Sequence, residues 1–397
     1  LDKATAYAVF TGHTDNNKTP YAYKTEDFGK TWVSIISNDV EGVVRNIQVD
    51  YQNSDLLFLG TELGLYITLN GGEKWYKFTN NMPAVATHFI ALQKQTNDLV
   101  LGTHGRGIII IDNIAPLREL NETIQNKTLH FFESQPTVIK ENKHFSGGFG
   151  NETQFVGANK SSQAQIKYHL KKRHTFGKMS MVIVNSKGDT LSELTPGKTK
   201  GINIVDWSFM RKQPKVAKGK TFSFGGFTTP VLPAGSYRAK ITKGKQTFEH
   251  SFELINDPKS NISIEDRMRK QNVVNELYDM IESLAYKVYV LNVYLEYANT
   301  SKKKKLISQL EVLKETMVIT TGDNYVGASE PQLRDKMTAI FQRIEDNYGA
   351  PTSDEIQNLK TIKIRFHNAT NVLDKIQKRY KLNRLVPVKT FKAYLKS

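Results

Sequence analysis

The sequence contains no cysteine, and this absence removes several classes of chemistry. Disulfide frameworks, cysteine-based zinc sites and cysteine nucleophiles are all excluded. Long apolar runs are missing as well: no stretch reaches about 18 apolar residues, so we predict no membrane span. The opening residues, LDKATAYAVF, show no basic region followed by an apolar run, so no signal peptide is visible. If the protein is exported, we expect its export signal to lie upstream of this sequence.

Acidic residues are scarce relative to basic ones, with 39 Asp and Glu against 55 Lys and Arg, and the net charge is +16. A basic balance of this kind can favour nucleic acid, anionic glycans or anionic membrane surfaces. The charge is spread along the chain, however, and its only dense run is Lys302 to Lys305. No nucleic-acid-binding motif accompanies that run. We therefore interpret the charge as a solvated surface and predict no nucleic-acid partner.

Motifs for metals and cofactors are also missing. The nine histidines show neither HExxH nor a two-histidine-plus-carboxylate spacing, so we predict no metal site. No GxxxxGKS/T, GxSxG or GxGxxG pattern stands in the strand–helix context that each one requires. The sequence therefore predicts no cofactor.

What the sequence does contain is an all-β stretch over residues 1–116, in which short apolar runs alternate with turn residues. Within it, TEDFGKTW at 25–32 aligns with TLNGGEKW at 68–75, 43 residues later. Four-stranded propeller blades repeat at about 40–45 residues. Both segments fit S/T-x-D-x-G-x-x-W, with Asn in place of Asp in the second copy. The matching positions are Thr25, Asp27, Gly29 and Trp32 in the first copy, and Thr68, Asn70, Gly72 and Trp75 in the second.

The chemistry of these two segments, called the box turns below, is local. Thr and Asx side chains bond nearby backbone N–H groups and close a tight turn, while glycine supplies a positive φ. The tryptophan then packs the turn against the blade core, so we expect Trp32 and Trp75 to be buried and equivalent. The box turns thus have a structural role, and Asp27 is not assigned a catalytic one.

Residues 1–116 amount to only the last two to three blades of a propeller. Even the smallest propellers close with about four blades. An open set exposes sheet edges and an apolar blade face to water. We therefore expect upstream propeller blades as partners, either in the same polypeptide or in a cleaved piece that stays bound.

Residues 128–258 form a second all-β region. Alternating segments such as QIKYHL and MVIVNSKGDTLSEL are typical of strands and hairpins, and Asp257-Pro258 ends the last strand. Five to eight strands in about 130 residues suit an immunoglobulin-like or fibronectin-like β-sandwich.

Residues 262–397 change to helical spacing. Ser263-Ile264-Glu265-Asp266 resembles a capping box, and Thr352-Ser353-Asp354-Glu355 is a full one. Apolar residues at steps of three and four predict four amphipathic helices, which favour a helical bundle. The predicted fold class is therefore multidomain, with a partial β-propeller, an immunoglobulin-like β-sandwich and an α-helical bundle.

Several blocks together resemble a known family. The box turns, LLFLGTELGLYITLNGGEKW, DLVLGTHGRGIIIIDNIAPL and PVLPAGSYRAKIT are similar to the bacterial sortilin-type propeller proteins with Asp-box (BNR) repeats, which often carry a glycosyl hydrolase label. The resemblance implies export to the periplasm or cell surface, and a larger propeller whose earlier blades lie outside this sequence. It implies no proven reaction, because the hydrolase label rests on the repeat and the repeat is structural.

Candidate ligand-binding residues come from two matching loops, Gly60-Thr61-Glu62-Leu63-Gly64 and Gly102-Thr103-His104-Gly105-Arg106-Gly107. Equivalent loops of successive blades point to the same propeller face, so Glu62 and His104 are the pair to test if a ligand binds here, with Arg106 as a further candidate. For the second loop itself, the favoured interpretation is a tight strand junction, with Arg106 pairing a carboxylate, and a ligand site is the alternative. Arg45, Arg106 and Arg118 lack a sialidase spacing, and no catalytic constellation is recognisable.

Three functions stay open at this point. The leading hypothesis is an exported binding or scaffolding protein that presents propeller loops to a peptide or glycan, while the other regions dock it to a cell-surface assembly. The second is a secreted glycoside hydrolase whose active site lies mainly in the upstream blades. The third is sortilin-like capture of a peptide inside the propeller. Whether the chain is an enzyme is left undecided.

Overall fold

The computed structural model describes residues 2–140, 161–220, 229–320, 330–347, 349–387 and 390–396. Sheets and helices both contribute to the chain, which forms two compact units. The first unit comprises Leu1–Ser134, Ile166–Gly177 and Gly197–Ile204, and the second comprises Gln135–Gln165, Lys178–Pro196 and Val205–Ser397. The three predicted domain ranges, 1–116, 128–258 and 262–397, stay predictions.

Three antiparallel sheets follow one another at the start of the first unit. In each of them, strands that are neighbours in sequence are hydrogen-bonded neighbours in space. Sheet A consists of β1 (Ala6–Gly12), β2 (Asn17–Thr25) and β3 (Val33–Ser34). Sheet B consists of β4 (Val44–Val49), β5 (Leu57–Thr61), β6 (Gly64–Thr68) and β7 (Tyr76–Lys77). Sheet C consists of β8 (Thr87–Gln93), β9 (Asp98–Thr103) and β10 (Ile108–Ile111).

The strand register shows which strands of sheets A and B are equivalent. Ala6 lies opposite Thr25 in sheet A, as Leu57 lies opposite Thr68 in sheet B. The pair β1–β2 therefore matches β5–β6, and β3 matches β7. Within the residues that the structure describes, sheet A has no counterpart of β4, so one edge of β1 has no strand partner.

Each of these sheets packs face to face on the next one. Alternating side chains enter two separate cores because successive residues of a strand point to opposite faces. One core joins sheets A and B and includes Ala22, Ile35, Val44, Leu57, Leu59, Tyr66 and Trp75. The other joins sheets B and C and includes Phe58, Leu65, Ile67, Ile90, Leu99 and Leu101. Consecutive sheets stacked in this way fit part of a β-propeller.

A buried ion pair fastens the segment that follows sheet C. Two short helices, α1 (Ala115–Glu119) and α2 (Glu122–Asn126), come directly after β10. In α1, Arg118 Nε and Nη2 donate to the two carboxylate oxygens of Asp50, each over 2.9 Å. Asp50 is fully buried, and Arg118 stacks over the Tyr51 ring at 4.6 Å. The bidentate pair ties α1 to the end of β4.

Two further sheets confirm that the region after residue 128 is rich in strands. Sheet D contains β11 (Leu129–Phe131), β13 (Ala164–Leu170) and β16 (Gly201–Trp207). Sheet E has the order β12 (Thr137–Ile139), β18 (Gln246–Asn256), β17 (Gly235–Lys243), β14 (Met179–Val184) and β15 (Thr190–Leu194). The pairing of β12 with β18 is parallel. The immunoglobulin-like sandwich itself stays a prediction.

Sheet D holds a buried histidine. His169 lies opposite His130 across the β11–β13 pair, and its side chain is almost fully buried. Burial lowers the pKa of His169 below its usual value, and the nearby His130 and Lys200 act in the same direction. The folded protein therefore favours the neutral imidazole at this position.

Helices dominate the last part of the second unit. They are α3 (Ile264–Thr300), α4 (Lys304–Met317), α5 (Leu333–Asp346), α6 (Ser353–Arg379) and α7 (Phe391–Lys396). The full capping box is present at α6, where Thr352 and Glu355 each bond the other's backbone N–H. At α3, Ser263 Oγ accepts a bond from Asp266 N.

The predicted apolar stripes of these helices share one core, including Leu277, Leu291, Leu310, Met337, Phe341 and Leu373. Among the described residues, no helix is both long enough and apolar enough to cross a membrane.

Candidate functional site

The two box turns have the same hydrogen-bond pattern. Thr25 Oγ1 donates to Asp27 Oδ1 over 2.9 Å and accepts from Gly29 N over 2.9 Å. In the second copy, Thr68 Oγ1 donates to Asn70 Oδ1 over 2.9 Å and accepts from Gly72 N over 3.0 Å. Asn can replace Asp because the turn needs one acceptor oxygen at this position, and both residues supply it. The turns are thus equivalent, as the repeat predicts.

The carboxylate of Asp27 is occupied within its own turn. Thr31 N donates to Oδ1 over 2.9 Å and Thr31 Oγ1 donates to Oδ2 over 2.7 Å. These bonds from Thr31 hold the pKa of Asp27 below its usual value, with a smaller contribution from Thr25. A carboxylate held in this way closes the turn and is not presented to a ligand.

The two box tryptophans differ in burial. Trp75 is 1% exposed, and its Nε1 donates to the carbonyl oxygen of Ile35 over 2.7 Å. Trp32 is 44% exposed. The expectation that both are buried is therefore wrong for Trp32. The reason is physical: Trp75 is covered by sheet A, whereas no sheet covers the corresponding face of sheet A in the part of the chain that the structure describes.

Glu62 and His104 occupy matching positions in sheets B and C. Glu62 N donates to Val43 O over 3.0 Å, and His104 N donates to Ala86 O over 2.9 Å. Val43 and Ala86 are 43 residues apart, which is the spacing of the box turns. The two loops therefore have the same place in their sheets, but no hydrogen bond or ion pair joins the Glu62 and His104 side chains.

Glu62 and His104 each contact a side chain near the start of the strand that pairs with their own. For Glu62, after β5, that strand is β4, and for His104, after β9, it is β8. Arg45 forms an ion pair and hydrogen bond with Glu62. His88 stacks on His104, with ring centroids 5.6 Å apart and planes inclined by 16°. Arg45 and His88 are also 43 residues apart. The sequence interpretation assigned neither of them to the candidate site, although the repeat spacing that located the box turns relates them as well.

A third sheet contributes to the same row. His13, just after β1, places Nδ1 4.0 Å from Glu62 Oε1. The polar residues therefore run across sheets A, B and C, and we call this set the rim: His13, Arg45, Glu62, His88, His104 and Arg106. His13, His104 and Arg106 are exposed, whereas Glu62, Arg45 and His88 are half-buried.

Arg106 differs from the other arginine residues of this region. Arg45 pairs with Glu62 and Arg118 pairs with Asp50, whereas no carboxylate of the described residues pairs with Arg106. Gly105 and Gly107 flank it with φ values of 97° and 64°, which suit glycine. The loop is closed by Thr103 N and Oγ1, which donate to Gly107 O over 3.0 and 2.7 Å. The guanidinium is thus presented by a fixed loop and is free to meet an anion.

Metal chemistry has no support in the described ranges, because no group of three or more His, Asp or Glu side chains there could hold an ion. Catalysis by a pair of carboxylates has little more support from the rim. Glycoside hydrolysis needs a second carboxylate about 5–9 Å from the first, and Glu62 is the rim's single carboxylate and lies in an ion pair. The rim therefore lacks the pair of carboxylates that glycoside hydrolysis uses.

No protein-family profile matches the chain, and no curated protein matches it. Solved structures with partial likeness include PorZ, a surface component of the type-IX secretion system of Porphyromonas gingivalis, at 11% identity over 63% of this chain and 37% of PorZ, with a TM-score of 0.24. The GH74 enzyme of Niastella koreensis matches at 14% identity over 63% of this chain and 36% of that enzyme, with a TM-score of 0.25.

An ancestral GH74 enzyme is 23% identical over 22% of this chain and 11% of its own length, with a TM-score of 0.20. The chain thus spans less than two fifths of the length of each of these three structures. Likeness at this level carries no argument about function. The assignment of sheets A, B and C to part of a propeller rests on their own repeat and packing.

Proposed function

We propose that this chain is part of an exported binding or scaffolding protein of the sortilin-type propeller class, and that its rim recognises a peptide or glycan through anionic groups. The observation that supports this proposal is the rim itself. Equivalent positions of sheets B and C carry Glu62 and His104, and His13 of the neighbouring sheet A lies beside Glu62. These polar side chains neither close the box turns nor fill a core. Sheet D, sheet E and the helices then serve to dock the protein within a cell-surface assembly.

The charge of the rim indicates the class of ligand. The negative charge of Glu62 is balanced by Arg45, so Arg106 leaves a net positive charge even with neutral imidazoles. An arginine guanidinium binds a carboxylate or sulfate through two parallel hydrogen bonds, and imidazoles supply donors beside it. A carboxylated or sulfated ligand therefore fits better than a neutral one.

The test is binding of the full chain to an array of carboxylated, sulfated and neutral glycans and to a peptide array with free carboxyl groups. We expect anionic members to bind, and Arg106→Ala to weaken the binding at least tenfold. Arg269→Ala is the matched control, because it removes an exposed cation from α3, which contributes no residue to the rim. Equal weakening by both variants would mean that only net charge matters, and the rim would lose its role.

The glycoside hydrolase alternative has a separate test. The same protein is incubated with soluble β-glucans and aryl glycosides, and released reducing sugar is measured for the parent chain and Glu62→Gln. We expect no turnover by either, because Glu62 lacks a second carboxylate among the rim residues. Turnover that Glu62→Gln abolishes would replace the binding proposal with the hydrolase.

A further inference from the structure

The interface between sheets A and B shows how one blade covers the box turn of the next. Trp75 Nε1 donates to Ile35 O, and Ile35 stands three residues after Trp32. Gly72 adjoins the same residue: a Cβ placed there would lie 2.8 Å from Ile35 Cβ. This interface therefore has three parts, namely a tryptophan donor, a carbonyl acceptor from the preceding sheet, and a glycine that admits a β-branched side chain.

The outer face of sheet A carries the first and third of these parts without the second. Trp32 is 44% exposed, and its Nε1 has no hydrogen-bond partner in the described ranges. A Cβ placed at Gly29 would meet only the Trp32 ring, at 3.9 Å. The box turn of sheet A is nevertheless as well formed as that of sheet B. The turn is complete, but among the described residues no neighbouring sheet packs against it.

The edge of sheet A is open in the matching way. β1 corresponds to β5, and β5 pairs with β4 on the side where β1 has no partner. Ala6 and Ala8 correspond to Leu57 and Leu59, which are fully buried in sheet B, yet Ala6 is exposed and Ala8 half-buried. The exposed face around Trp32 and the unpaired edge of β1 can therefore both be explained by one absent neighbour, a preceding blade with the strand that follows it.

We propose that the outer face of sheet A, formed by Gly29, Trp32 and β1, is a docking surface for a further blade of the repeat that this chain contains. That blade presents to Trp32 Nε1 the carbonyl oxygen of a β-branched residue, located three positions after its own box tryptophan. The strand that follows it pairs with β1, as β4 pairs with β5. The existing interface between sheets A and B is the template for both contacts.

A second copy of this chain fits less well as the occupant. Its own Ile35 is already covered by Trp75. Its open apolar face is on sheet C, where Phe89, Ile108 and Ile110 are 72%, 73% and 57% exposed. The residue that corresponds by spacing to Ile35, after sheet C, is Asn121. Its carbonyl oxygen already accepts a bond from Gln125 N over 2.9 Å, and its side chain caps α2. Sheet C therefore offers no equivalent acceptor to Trp32.

The test adds the missing blade by duplication. A second copy of residues 2–56 is fused directly before Ala6 of the full chain, so that Leu56 precedes Ala6 as it precedes Leu57 in sheet B. The added copy carries Phe in place of its tryptophan, so that the protein keeps its three native tryptophans. A control extension adds only residues 43–56, which supply the strand without the covering blade.

The readout is ¹⁹F NMR of the proteins labelled with 5-fluorotryptophan, using the H₂O/D₂O shift of each resonance as a measure of exposure, with assignment by Trp32→Phe. We expect the Trp32 resonance to be solvent-exposed in the native chain and the control extension. In the blade extension it should become as protected as that of Trp75. There, Trp32→Ala should lower Tm about as much as Trp75→Ala does in the native chain.

Three results would overturn the proposal. In the first, Trp32 stays exposed in a folded blade extension. In the second, the blade extension fails to fold while the control extension folds, because the register predicts that both are compatible with sheet A. In the third, light scattering shows a dimer of the native chain in which Trp32 is already protected, and Trp32→Ala abolishes that dimer; the occupant would then be a second copy.

Discussion

Replacing Trp75 by alanine tests whether the sheets are held together as the structure indicates. The Trp75 side chain is 1% exposed and packs between sheets A and B among Ala22, Ile35 and Tyr66. Truncating a buried tryptophan to alanine costs about 3–5 kcal/mol. Loss of the indole bond to Ile35 O adds about 1 kcal/mol. We therefore expect Trp75→Ala to destabilise the first unit by about 4–6 kcal/mol.

Trp32→Ala is the matched comparison, because it makes the same chemical change in an equivalent turn. Trp32 is 44% exposed and makes no indole hydrogen bond among the described residues, so roughly half of the burial term and none of the bond term is lost. At about 25 cal/mol per Å² of apolar surface, the expected cost is about 1–2 kcal/mol. The gap between the two variants should therefore exceed about 2 kcal/mol, by the same estimate.

The assay must report on the first unit alone, because two compact units need not unfold together. Native-state hydrogen exchange of the β5 and β6 amides in sheet B meets this need, since the slowest amides of a unit exchange through its global opening. Equal losses of protection in the two variants would refute the reasoning, and so would a Trp75→Ala loss below about 1 kcal/mol, well short of the range for a buried tryptophan.

Three further predictions concern the first unit. Arg118→Gln should destabilise it by about 3–5 kcal/mol in urea unfolding, because it leaves the fully buried Asp50 carboxylate unpaired; a loss below about 1 kcal/mol would show that the pair is not buried in solution. Asn70→Asp should stay within about 0.5 kcal/mol of the parent, whereas Asn70→Ala should lose about 1–2 kcal/mol by the same assay, since only alanine removes the acceptor of the turn; similar values for the two would contradict this. His169 has a pKa lowered in the folded state mainly by burial, so the unfolded chain binds the proton more readily and stability should fall as pH drops through about 6.5. The decrease in Tm between pH 8 and pH 5.5 should be smaller in His169→Gln, and an unchanged pH profile would exclude this residue as its source.

The sequence predicted those features that depend on neighbours along the chain. The box turns bond within seven residues, so Thr25, Asp27 and Gly29 could be assigned from their spacing, and the capping box at Thr352 is equally local. The helices were predictable because their apolar residues recur at steps of three and four, as Leu277, Ile281, Leu284, Val288 and Leu291 do in α3. In these cases the residues that interact lie only a few positions apart, so a local sequence pattern shows them.

Features that depend on distant parts of the chain were missed or misjudged. The prediction that Trp32 is buried was wrong, because the burial of a box tryptophan depends on the neighbouring sheet and not on the turn. The pair of Asp50 with Arg118 joins residues 68 positions apart, and no local pattern marks it. The rim is an intermediate case: Glu62 and His104 were found through the repeat, whereas Arg45 and His88 needed the same spacing applied to the strands that precede the loops.

The bidentate contact of Arg118 with Asp50 has a mechanical consequence. When the backbone is pulled from the side that follows α1, the end strand of an open sheet is the element most easily peeled away. Tension applied from the side of sheet D reaches Arg118 before it reaches β10. The load is then transferred to the end of β4 in sheet B and must shear two charge-assisted hydrogen bonds at once, instead of opening the β9–β10 ladder one bond at a time.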